Sequence, residues 1–181
     1  MQEQKCARRT ALLCLYCIGN IAGYRAGWTQ EEPKNLRIGR DFWVRANGNF
    51  LDIAVLEWCK LFAERDGKHH WKRCLLPSFR QDLFEGLATT PEQFKKSLKV
   101  VKAYRDKHVA HLDDVGARIY PETEFMLSSV KLLYQALVIK AEQSGYLDDA
   151  PMSVENFYQE RLAAAQAEVL AAGTADLMVA E

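Results

Sequence analysis

Apolar residues recur every three or four positions along most of this chain, which is the spacing of amphipathic helices. No stretch alternates apolar and polar residues between hairpin turns, so signals for β-strands are almost absent. The pattern predicts helices over about 4–24, 37–64, 77–87, 89–108, 125–140 and 153–170. We therefore predict an all-α fold, a single-domain antiparallel helical bundle over 1–181, with a core over roughly 4–170 and a frayed tail at 171–181.

Local signals within these helices predict how they begin and pack. Thr90 is placed as an N-cap, and Gln93 completes a capping box with it, so a helix begins here with Pro91 in its first turn. Glycines spaced by four residues in the first helix predict the close approach of a neighbouring backbone: Gly19, Gly23 and Gly27. Helical spacing in the second helix predicts a buried stripe made of Trp43, Ala46, Phe50, Ile53, Ala54, Glu57, Trp58 and Leu61.

The composition is that of an ordinary globular protein without a strong field of either sign. Hydrophobic residues make up 49% of the 181 residues, and 24 basic residues balance 24 acidic ones. Because there is no global field, a polyanionic partner would have to bind a local basic patch. The motifs G-x-S-x-G and H-E-x-x-H and a glycine-rich phosphate loop are not found, which argues against the enzyme classes that depend on them.

The cysteines and the N-terminal segment indicate in which cellular compartment the protein is expected. Five cysteines make an odd number, and the pair Cys14 and Cys17 lies in a predicted helix without a second pair that would complete a zinc site. We therefore expect structural thiols in a reducing cytoplasm. Basic residues precede a short apolar run in "KCARRTALLCLYCIGNIAG", as in an export signal, but the run is too short to span a bilayer. An ordinary first helix is the prediction, with export as the alternative, and we expect no membrane association.

The stretch "VKAYRDKHVAHLDD", residues 101–114, combines an arginine with two of the four histidines of the chain. Phe94 and Val101 lie on one face of the predicted helix, and the next positions on that face are Arg105 and His108. An arginine on an apolar face is costly unless an anionic group meets it. Three partners remain open for Arg105: Asp113 or Asp114 folding back towards it, the carbonyl groups at the helix end, or a phosphate at an interface.

The position of His111 relative to Arg105 depends on where this helix ends. His111 follows Arg105 by six residues, which is about 240° in a straight helix, so the two side chains would diverge. If the helix kinks or ends near 109–110, His111 can turn back towards Arg105. We expect Asp113 and Asp114 to end the helix and to pair locally.

The segment "YRDKHVAHLDD" resembles the motif of the HEPN superfamily, in which an arginine is followed after four to six residues by a histidine, at the end of a helix in a small bundle. The upstream run "FWVRANGNFLDIAVLEWCKLF" is similar to the abortive-infection AbiU-type branch, where an aromatic-rich helix precedes such a motif. The resemblance covers roughly 37–140, and it implies a HEPN-like bundle with its motif region at 90–145.

The resemblance implies a metal-independent endoribonuclease of bacterial toxin or phage-defence type, which acts on RNA as a homodimer and without a cofactor. Cleavage through the 2′-OH of RNA needs a base, an acid and a cation for the phosphorane charge, which His and Arg supply. Carried onto this chain, Arg105 clamps the phosphate, His111 is the general acid and base, and Asp106 orients the pair. Tyr104 and His108 are further candidates for the site.

Other interpretations of the motif stay open. Asp106 stands where the superfamily commonly has Asn, and its charge can neutralise Arg105. His108 is either a second catalytic histidine or a core histidine. A divalent ion could be held by His108, His111 and Asp113, but the basic neighbours argue against it and we expect no metal. The resemblance also allows a catalytically inactive module that binds RNA or a protein partner, such as an antitoxin or another defence protein.

A second candidate for RNA contact is the loop "RDGKHHWKR", residues 65–73. Basic residues around an aromatic ring can hold backbone phosphates and stack a base. The predicted RNA-binding residues of this loop are Lys68, His70, Trp71, Lys72 and Arg73. The alternative is a solvated loop whose tryptophan packs on the core.

Overall fold

The computed structural model describes residues 2–28, 41–110, 119–142, 147 and 149–175. The regular structure in these residues is helical throughout, with no strand among them. The α-helices are α1 (Gln2–Ala26), α2 (Asp41–Phe62), α3 (Phe79–Gly86), α4 (Pro91–Tyr104), α5 (Thr123–Glu142) and α6 (Val154–Ala175). A short 3-10 turn covers Trp71–Arg73, and a π-helical turn covers Arg105–Ala110. The predicted all-α bundle is confirmed, and α6 continues past the predicted end at residue 170.

The helix α1 lies at the centre of the bundle, since it contacts α2, α5 and α6. Cys14 and Cys17 are fully buried on it, and all five cysteines have free thiols. Burial raises the pKa of both thiols well above the ordinary value, so they are inert core residues. Neither α1 nor any other helix among the described residues has the length and apolar character needed to cross a membrane.

Gly23 of α1 and Gly27, directly after its end, make room for side chains of α2, where the spacing predicts the approach of a backbone. A Cβ on Gly23 would lie 3.2 Å from the ring of Phe50, and one on Gly27 would overlap the side chain of Asn47. The Asn47 amide donates to the carbonyl of Tyr24 at 2.8 Å and is thereby fixed against α1. Around Gly19 there is no atom within 4 Å, so this position has no such role.

The buried face of α2 differs from the predicted stripe. Phe50 and Ile53, which the spacing places in the stripe, are 40% and 43% exposed. The apolar residues that α2 buries are Leu51, Ala54, Val55, Trp58, Cys59, Leu61 and Phe62. Glu57 is 9% exposed and lies at the edge of this face. Because α2 carries two adjacent apolar stripes, only its packing against both α1 and α4 decides which one is buried.

An aromatic cluster joins α2, α4 and α5. The ring of Trp58 stacks on Phe62 with centroids 5.0 Å apart, and it lies 5.7 Å from the ring of Phe125. Phe94 of α4 contacts the same cluster, with its ring 5.3 Å from that of Phe125. The buried indole nitrogen of Trp58 donates to the hydroxyl of Ser129 at 2.8 Å, so no polar group of this ring is left unpaired. The cluster fixes the position of α4 and of the segment that follows it.

Candidate functional site

The motif segment begins with a well-defined helix and ends with a change of helical geometry. The predicted capping box is confirmed, since the Thr90 hydroxyl accepts from the Gln93 amide at 3.2 Å and the Gln93 side chain accepts from the Thr90 amide at 2.9 Å. The α-helix ends at Tyr104, and the next six residues, Arg105–Ala110, form the π-helical turn. π-Helical turns are rare in proteins, and many of those that occur lie at functional sites. His111, Asp113 and Asp114 lie outside the described residues.

Arg105 is held by two carboxylates at the start of the π-helical turn. Its Nε donates to Asp106 Oδ1 at 2.9 Å, and its Nη2 lies 2.8 Å from the same oxygen. Its Nη1 donates to Glu64 Oε1, two residues beyond the end of α2, at 2.9 Å. The Arg105 side chain is 16% exposed, whereas those of Glu64 and Asp106 are 44% and 46% exposed. The anionic partners of this arginine are therefore Glu64 and Asp106.

Arg105 stays protonated, and some of its N–H donors are not used by the two carboxylates. Burial acts to lower the pKa of Arg105, but the hydrogen bond with Asp106 and the nearby charges, including Glu64, outweigh it and raise the pKa. A guanidinium carries five N–H donors, and the three contacts to carboxylates use one each. Within the described ranges the other two donors have no partner, so Arg105 can hold a phosphate oxygen without first losing both carboxylates.

Tyr104 and His108 line a small cleft beside the π-helical turn. The Tyr104 hydroxyl donates to Asp52 Oδ1 of α2 at 2.8 Å, and the tyrosine side chain is buried. The His108 ring packs against the Tyr104 ring with centroids 5.2 Å apart. Both residues line a cleft of about 230 Å³ together with Ile119. The structure thus brings Asp106 to Arg105 and gives Tyr104 the role of joining α4 to α2.

The loop after α2 divides the predicted RNA-binding residues into two groups. His70 is 2% exposed, accepts from the Lys72 amide through Nδ1 at 3.3 Å and meets the Phe62 carbonyl through Nε2 at 3.2 Å. Burial lowers the pKa of His70, so this ring is a neutral core group. Trp71 is 6% exposed and packs edge-on against Phe79 at 5.3 Å.

The rings of His70 and Trp71 are therefore largely buried, although both residues also line a groove beside this loop, so their contact with RNA stays a prediction. The cations of the same loop are exposed, namely Lys68, Lys72 and Arg73. Arg73 donates to the Asp66 carbonyl at 3.2 Å, and the Lys72 ammonium lies over the Trp71 ring at 5.5 Å. The exposed cations of this loop are available to a phosphate, and RNA binding by the loop stays a prediction.

Sequence reasoning did not find two acidic residues of the site, Glu64 and Asp52. Glu64 meets Arg105 across 41 positions of the chain, and Asp52 meets Tyr104 across 52. Both follow apolar stretches of α2 as ordinary polar residues, so no local signal sets them apart. In the part of the chain that the structure describes, no group of His, Cys, Asp and Glu side chains could hold a metal ion.

Comparison of the chain with protein-family models, with curated proteins and with solved structures finds no match.

Proposed function

We propose that this protein is a metal-independent endoribonuclease of the HEPN type, which acts in bacterial toxin or phage-defence systems. The observation that carries the proposal is the π-helical turn at Arg105–Ala110, within the stretch that resembles the HEPN motif. The turn begins with an arginine that has two unused donors beside a partly exposed ion pair. The free thiols of the chain are compatible with the reducing cytoplasm in which such a protein would work.

The chemistry needs few protein groups. A histidine takes the proton of the 2′-OH, O2′ forms a bond to phosphorus, and the bond from phosphorus to O5′ breaks. A proton returns to O5′, which leaves a 2′,3′-cyclic phosphate and a 5′-hydroxyl end. Arg105 would stabilise the charge on the non-bridging oxygens through its planar donor fork, and His111 would move the protons. In a homodimer, the second copy would supply a second such pair to one cleft.

The alternative function is a catalytically inactive module that binds RNA or a protein partner. The observation that favours it is the pairing of Arg105 with both Glu64 and Asp106, which places two negative charges where a phosphate would approach. A structural ion pair of this kind would join the end of α2 to the π-helical turn. Such a protein would keep its fold and its partner without cleaving RNA.

The test of the proposal is RNA cleavage in the presence of a chelator. The wild-type protein is expected to cut total RNA in EDTA and to leave 2′,3′-cyclic phosphate ends, which are identified by end-specific ligation. His111→Ala is expected to lose activity by on the order of 100-fold or more, because the proton transfers lose their carrier. Arg105→Ala is expected to lose a similar factor.

The matched control is His69→Ala, since His69 lies in the loop after α2 and has no part in the proposed chemistry. This variant is expected to cut RNA as the wild type does. Equal cleavage by the wild type and by His111→Ala would point to a contaminating nuclease. Complete inactivity of the folded wild type on RNA, with intact RNA binding, would favour the inactive module.

A further inference from the structure

A groove of about 620 Å³ lies between α3, the first turns of α4 and the loop after α2. Its floor is formed by apolar side chains from these three segments and from the adjoining end of α2: Phe62, Trp71, Leu83, Phe84, Phe94 and Leu98. Its rim carries four cations: Arg65, Lys72, Arg80 and Lys95. The only carboxylate among the residues that line the groove is Glu92. The volume is within the range of sites that bind small ligands and short segments of polymers.

The four cations of the rim are not neutralised by carboxylates. Among the residues that the structure describes, none of the four forms an ion pair. Arg80 lies over the ring of Phe84 at 5.3 Å, and Lys72 lies over that of Trp71 at 5.5 Å, so these two cations are held by aromatic faces. An anionic ligand can therefore bind these cations without first displacing a carboxylate of the protein.

The groove lies close to the Arg105 site. Leu98 lines the groove and precedes Arg105 by seven residues, which places the two about 10 Å apart along the helix. Val101, which lies between them on the same face of α4, is buried, so this face is covered between the groove and Arg105. The rim approaches the site through the loop after α2, where Arg65 directly follows Glu64, which binds Arg105.

We propose that this groove binds single-stranded RNA and leads it to the Arg105 site. This inference rests on the proposed function and names the form of the substrate. The four cations around the groove match the repeated charge of a phosphodiester chain, and an apolar floor can accept base faces only when the bases are unpaired. The proximity of the rim to Arg105 favours a polymer with a phosphate in each repeat over an acidic peptide, because such a polymer can contact the rim and Arg105 together.

The experiment measures binding of a fluorescein-labelled single-stranded oligouridylate by anisotropy, in EDTA and in the His111→Ala background so that the RNA stays intact. The double substitution Arg80→Gln and Lys95→Gln is expected to weaken binding roughly tenfold at low salt, because two phosphate contacts are lost. The slope of log Kd against log salt concentration is expected to fall by about 1.4, since each contact to single-stranded nucleic acid contributes about 0.7.

The matched control is Arg45→Gln with Arg161→Gln, which removes the same charge from α2 and α6, outside the groove. It is expected to leave the affinity and the slope within error of the parent. Equal effects of the two double variants on RNA affinity would overturn the proposal. It would also be overturned if the groove variant kept its affinity for RNA and lost affinity only for an acidic amphipathic peptide. If the wild type cleaves RNA but the groove substitutions do not weaken binding, the proposed RNA-binding role of the groove is refuted and the nuclease proposal stands. If the substitutions weaken binding but the wild type does not cleave RNA, the nuclease proposal is refuted and the groove proposal stands.

Discussion

Arg105 binds two carboxylates and also has donors that can bind a phosphate, whose charge the carboxylates would repel. Its contacts with Glu64 and Asp106 join the end of α2 to the π-helical turn, and its remaining donors can bind a phosphate. The sequence predicts that an anionic group must meet this arginine, because it continues an apolar face of α4. The sequence does not predict Glu64, since this contact depends on how α2 and α4 pack and not on any local pattern. His111 remains a prediction, because it lies outside the described residues.

Glu64→Gln is expected to separate the two roles of Arg105. Removing this partly exposed charge weakens the competition with phosphate, so the affinity for RNA is expected to rise by about two- to fivefold at low salt, in keeping with the modest energy of such ion pairs. The measurement is anisotropy with the labelled oligouridylate in the His111→Ala background. Glu160→Gln removes an equal charge from the exposed surface of α6 and serves as the control. Unchanged RNA affinity in Glu64→Gln, together with a lower melting temperature, would mark the pair as purely structural.

At the scale of elements, α4 shows what local signals determine and where they stop. Its start follows from Thr90 and Gln93, because a capping box satisfies backbone donors within three residues. The sequence leaves open whether the helix continues straight or kinks or ends near 109–110, and it does not predict the transition at Arg105, since a π-helical turn has no residue code of its own. The buried face of α2 was likewise predicted only in part, because burial there is decided by neighbouring helices.

Thr90→Ala is expected to lower the free energy of unfolding by about 1 kcal/mol, because the Gln93 amide loses its acceptor at the helix start. For a chain of this size the melting temperature is expected to fall by about 2–4 °C, as measured by circular dichroism. Ser97→Ala, in the middle of α4, is the control and is expected to change the stability by less than about 0.5 kcal/mol. Equal destabilisation by both substitutions would show that the capping box does not determine the stability of α4.

At the scale of the whole molecule, the interface between α1 and α2 contains an acid that makes stability depend on pH. Glu57 of α2 accepts from the Asn20 amide of α1 at 3.2 Å and is 9% exposed. Burial raises the pKa of Glu57 from 4.5 to about 7, against the smaller opposing effects of Asn20 and Lys60. The folded protein therefore binds a proton that the unfolded chain has released, and stability falls as the pH rises from about 4.5 to about 7.

Glu57→Gln is expected to remove this dependence and to stabilise the protein above pH 7 by about 1–3 kcal/mol, because no charge then has to be buried. Urea unfolding at pH 5 and at pH 8 measures the effect, and the gain is expected at the higher pH. Glu160→Gln, on the exposed surface of α6, is the control and is expected to follow the wild type at both values. A gain of the same size at both pH values would show that Glu57 does not titrate in this range.

The central position of α1 has a consequence for synthesis of the protein. The surface of α1 is covered by α2, the next helix, but also by α5 and α6, which follow about 100 residues or more later in the chain. A nascent chain therefore keeps much of α1 uncovered until α6 has left the ribosome, and the contacts that close the bundle are among the most distant in sequence. Ribosome-associated chaperones would accordingly meet α1 with its apolar face exposed until α5 and α6 have been translated.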